Sequence, residues 1–174
     1  MASNVLEKIN TSKKDIEFHR PTLSKEELQT VLECLVDDLV DSGSIVEKFE
    51  KEFKSTFSYK NVISANSLFS AYHLALLSLG VSENDKVVLS SFAPLPAYYA
   101  ILMIKAIPCP VDLGKLSFQI DPEKLNDKIS EVQPKLIIFD HTFGSLIDIS
   151  KFRHTSEAIS RIVYSCGFIA MNGV

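Results

Sequence analysis

In the first third of the chain, apolar residues recur at helical spacing. Over residues 24–40, Leu28, Val31, Leu32, Leu35 and Leu39 fall on one helical face. Ser24 stands before them and Glu27 three residues later, the pairing of an N-terminal capping box. Asp41, Ser42 and Gly43 close the segment, and a second short helix is predicted around Val46, Phe49, Glu50 and Phe53. Then the period changes. Short β-prone runs at 61–65, 86–89, 107–111, 135–139 and 162–164 alternate with helical stretches. The helices are expected at 67–79, stopped by Gly80; at 95–105, behind Pro94 and Pro96; after Asp121-Pro122; and at 149–159. Short, continuously apolar strands between helices imply a parallel sheet covered on both faces, with right-handed crossovers. The expected fold class is therefore α/β, with a mostly parallel sheet of about five strands and helices on both faces. Pro108 and Pro110 withhold ladder donors and place 107–111 at a sheet edge. The organisation expected is a single domain over 1–174, with a helical N-terminal arm over about 16–57.

Composition narrows the function classes. The 174 residues are 46% hydrophobic, enough for one globular core. A net charge of −4, with no Lys/Arg cluster interleaved with aromatics, argues against a nucleic-acid partner. Cys34, Cys109 and Cys166 lie far apart, without C-x-x-C pairs, and read as buried thiols of a reducing compartment. The first ten residues hold no apolar core of signal-peptide length, and no apolar run reaches membrane-span length. A cytoplasmic protein without a membrane partner is the expectation. His73, His141 and His154 are too scattered for a metal site, and Asp140, His141 and Asp148 are the nearest approach to a cation set, so no metal is expected. No G-x-S-x-G elbow supports a hydrolase.

The loops after parallel strands are where such sheets bind ligands. The first carries Ala65-Asn66-Ser67-Leu68-Phe69-Ser70-Ala71, followed by Tyr72-His73-Leu74-Ala75-Leu76-Leu77-Ser78-Leu79-Gly80. This run resembles the S-G-T-A-A-L-H-L-A-L-L-A-L-G segment of the DegT/StrS-type sugar aminotransferases, a branch of the fold type I pyridoxal phosphate (PLP) enzymes. The resemblance extends to Phe18-His19-Arg20-Pro21 with Glu26-Glu27, Phe49-Glu50, Asn84-Asp85-Lys86-Val87-Val88 and Ser91-Phe92. It continues through the segment from Pro108 to Asp112, Ile120-Asp121-Pro122, and His141 with Phe143-Gly144 and Asp148. The resemblance implies a fold like the truncated large domain of a fold type I PLP-dependent transferase.

The same resemblance implies where a cofactor would sit, and at those positions this chain departs from the family. Leu68-Phe69 stand where the family has a small Gly-Thr to cradle the phosphate, leaving Ser67 and Ser70 as donors. Pro94 stands where an aromatic covers the ring, with Phe92 and Tyr98 nearby reading as core residues. Ser165 replaces the aspartate that keeps the pyridinium protonated, and Ser145 replaces a glutamine. The Schiff-base lysine of the family falls beyond Val174, and Lys135 and Lys151 lie in the wrong elements. The loop around Ser42-Gly43-Ser44 is shorter than the family's. Ser67, Leu68, Phe69, Pro94, Ser145 and Ser165 are thus degenerate cofactor positions, with no catalytic residue and no bound PLP expected. The function implied is a truncated, inactive aminotransferase-like domain with an assembly or regulatory role near sugar-nucleotide amino transfer. The alternatives are a component of a sugar aminotransferase whose lysine comes from another chain, and a nucleotide-sugar binding domain without PLP. The partners implied are a second copy or a related aminotransferase chain, joined through an apolar sheet edge that stays open unless 61–65 pairs directly with 162–164, the monomeric alternative.

Overall fold

The structure is a computed structural model and describes residues 22–37, 43–115, 117–148, 160–165 and 168–172. The Phe18 to Pro21 motif, the expected helix at 149–159, Lys151, His154 and Cys166 lie outside the described residues. The chain divides into two compact units, Met1–Val62 and Ile63–Val174.

The first unit contains α1 (Lys25–Val36) and α2 (Ser44–Phe57). The capping box forms as expected: Ser24 Oγ accepts from the Glu26 N–H at 3.1 Å, and the Ser24 N–H donates to the Glu27 carboxylate at 2.7 Å. That bonding, first from the Ser24 hydroxyl, holds the Glu27 carboxyl below its ordinary value. In α2, Phe49, Phe53 and Phe57 recur at one-turn spacing, and Tyr59 stacks on Phe53 at 6.0 Å between ring centroids.

The second unit is the α/β sheet. Its elements are α3 (Leu68–Ser78), β1 (Lys86–Ser90), α4 (Leu95–Met103), β2 (Ile107–Val111), α5 (Pro122–Val132), β3 (Leu136–Asp140), β4 (Ser160–Ser165) and β5 (Phe168–Asn172). The strand order is β2-β1-β3-β4-β5. The first four strands run parallel and β5 runs antiparallel to β4. The prolines do place β2 at an edge.

Alternation along the strands makes two cores. Val87, Leu89, Leu136 and Ile138 pack with Tyr72, Ala75 and Leu76 of α3 and Ala97, Ala100 and Ile101 of α4. On the other face Val88, Val111, Ile137 and Phe139 meet Leu125 and Ile129 of α5. Helices thus cover both faces, as the continuous apolar strands implied. The turn after α3 is closed by Gly80 at φ +71°, whose N–H donates to the Leu77 carbonyl while the Val81 N–H reaches Leu76. These two bonds form a Schellman motif, which needs a left-handed residue and so favours glycine.

One expected strand does not form. Residues 61–65 carry no regular structure and are not one of the five strands of the sheet. Two β-branched residues, Val62 and Ile63, give a local preference but no ladder partner. The fifth strand is instead β5, which follows β4 after two residues and pairs with it from Ser165↔Phe168 to Arg161↔Asn172. A short antiparallel connection costs little loop entropy. It covers the side of β4 expected either to pair with 61–65 or to stay open. β4 is therefore not an edge strand, and β5 ends the sheet on that side.

Candidate functional site

The carboxyl ends of β1, β2 and β3 bring together the loops after Ser90, Val111 and Asp140. The Ser90 side chain is buried, and its Oγ accepts from the Phe92 N–H at 3.0 Å, turning the chain sharply out of the sheet. The Ser91 N–H donates to the Val111 carbonyl at 2.8 Å and ties this loop to β2. Tyr98, one turn into α4, donates its hydroxyl to the Ser90 carbonyl at 2.8 Å, and burial pushes its pKa up. Tyr98 is therefore a strut between α4 and β1.

The cofactor positions expected from sequence are placed as follows. Ser67 is the N-cap of α3: its Oγ accepts from the Ser70 N–H at 3.1 Å and donates to Ser70 Oγ at 2.9 Å. Leu68 and Phe69 open the helix and pack against the α3/α4 core, with the Phe69 ring 5.9 Å from His73. Pro94 is the N-cap of α4 and makes no side-chain capping bond. Ser145 is half-buried, and its carbonyl accepts from Gln119 Nε2. Ser165 is the last residue of β4. Lys135 Nζ and the Asp85 carboxylate pair at 2.8 Å, and that bond is the first cause holding the Asp85 carboxyl below its ordinary value.

Sequence reasoning missed the group that does assemble at this edge. Phe92 after β1, Phe118 after β2 and Phe143 after β3 come from separate loops and meet as a cluster. Ring centroids are 5.7 Å apart for Phe92–Phe118, 6.3 Å for Phe92–Phe143 and 5.0 Å for the edge-to-face pair Phe118–Phe143. The local signal was one phenylalanine in each of these three loops. In the loop after β3 His141 is buried, and burial lowers its pKa despite the opposing Asp140 carboxylate. Among the described residues, no group of three His, Cys, Asp or Glu side chains gathers as a metal set, Asp140, His141 and Asp148 included. No described helix is long and apolar enough to cross a membrane.

Comparison with known proteins adds a family. The chain matches the family model described as "DegT/DnrJ/EryC1/StrS aminotransferase family" over residues 21–164. It is 30% identical to the GDP-perosamine synthase of Escherichia coli O157:H7 over 141 residues, which cover 79% of this chain and 38% of that protein. It is also 30% identical over 132 residues to the spore coat polysaccharide biosynthesis protein SpsC of Bacillus subtilis (strain 168), covering 76% of this chain and 34% of SpsC. The chain spans about a third of the length of the curated relatives it matches. Among solved structures, a putative sugar aminotransferase of Streptococcus pneumoniae, Spr1654, in its PLP form superposes with a TM-score of 0.77 at 22% identity, over 84% of this chain and 38% of that one. The E. coli GDP-4-keto-6-deoxy-D-mannose-3-dehydratase with bound hydrated PLP gives 0.79 at 18% identity, over 87% and 41%. These structural likenesses show the fold.

Proposed function

This chain belongs to the DegT/DnrJ/EryC1/StrS aminotransferase family, and from that premise we propose that it is a member without a working cofactor site, an aminotransferase-like domain acting in assembly or regulation beside sugar-nucleotide amino transfer. The observation that carries this reading is the N-terminus of α3. A helix start holds a phosphate through free N–H groups and small side chains that let it approach. Here the Ser67 hydroxyl is committed in both directions to Ser70, and the next two residues are the bulky Leu68 and Phe69, packed on the core. Pro94 presents no flat ring, and Ser165 has no charge to keep a pyridinium protonated. The residues present do not fit PLP, and no transamination step is derived from them. A second copy of the chain is the partner proposed.

The test is direct. The purified protein is incubated with PLP, dialysed, and treated with borohydride. No aldimine absorbance and no stoichiometric pyridoxyl adduct by mass are expected. One adduct per chain, at a single lysine, would end the reading.

A further inference from the structure

We draw no further inference here: the strongest candidate, the exposed aromatic patch that Phe92, Phe118 and Phe143 form on three loops at the carboxyl edge of the sheet, carries nothing, because nothing in the structure shows what covers it.

Discussion

His141 carries a pH dependence whose sign follows from its surroundings. Burial is the main cause lowering its pKa below the ordinary value near 6.5, and the Asp140 carboxylate works against that shift. The unfolded chain therefore binds the proton more readily than the folded one. The contribution of neutral His141 to stability is complete above about pH 6.5 and is lost as pH falls through the lower, folded value. His141→Asn removes the titration. Denaturant midpoints of wild type and variant are expected to converge between about pH 7 and pH 5 as the wild type weakens. Asp85 does not confuse this window. Its carboxyl is lowered from an already low ordinary value, so its contribution is lost only in stronger acid. A wild-type-to-variant difference that stays constant over the range would show that His141 titrates as it does in the unfolded chain.

The helix α5 shows what a local signal can specify. Asp121 precedes Pro122, and its Oδ1 accepts from the Glu123 N–H at 3.0 Å and the Lys124 N–H at 3.3 Å. Two otherwise orphaned donors depend on this side chain. Asp121→Ala is expected to destabilise the protein by about 1 kcal/mol, read as a lowered denaturation midpoint with unchanged slope; no shift would mean that water replaces the cap. Such features were legible because they are written within a few residues: the Ser24 box, the Gly80 stop and the edge prolines of β2 all formed where the pattern placed them. Residues 61–65 were not legible, because β propensity cannot say whether a ladder partner exists. The antiparallel β5 was missed for the converse reason, since its pairing depends on a neighbour and not on its own composition. At the candidate site, Ser67 and Pro94 read correctly as residues at helix starts. Phe118, Gln119 and Phe143 did not stand out, because only the register of β1, β2 and β3 brings their loops to one edge.

Self-association is expected through a helical face. β5, not β4, ends the sheet on one side, and β2 at the far edge carries Pro108 and Pro110, which cannot donate to an added strand. The uncovered surface lies on the helices. α3 and α4 pack side by side on one sheet face and are apolar on nearly every side, a composition suited to helices covered all round. Their outward residues Leu74, Leu77, Leu95, Tyr99, Leu102 and Met103 are each at least half exposed. An apolar surface of that extent marks an interaction face, and a self-complementary patch closes most simply as a two-fold dimer. Light scattering is expected to give twice the chain mass of 19.4 kDa. The double variant Leu77→Glu, Leu102→Glu places carboxylates in the centre of that face, where burying them without partners is prohibitive. It is expected to be monomeric while keeping the wild-type circular dichroism spectrum. Wild-type protein that stays monomeric across the concentration range would remove the dimer, and a variant that still dimerises would move the interface elsewhere.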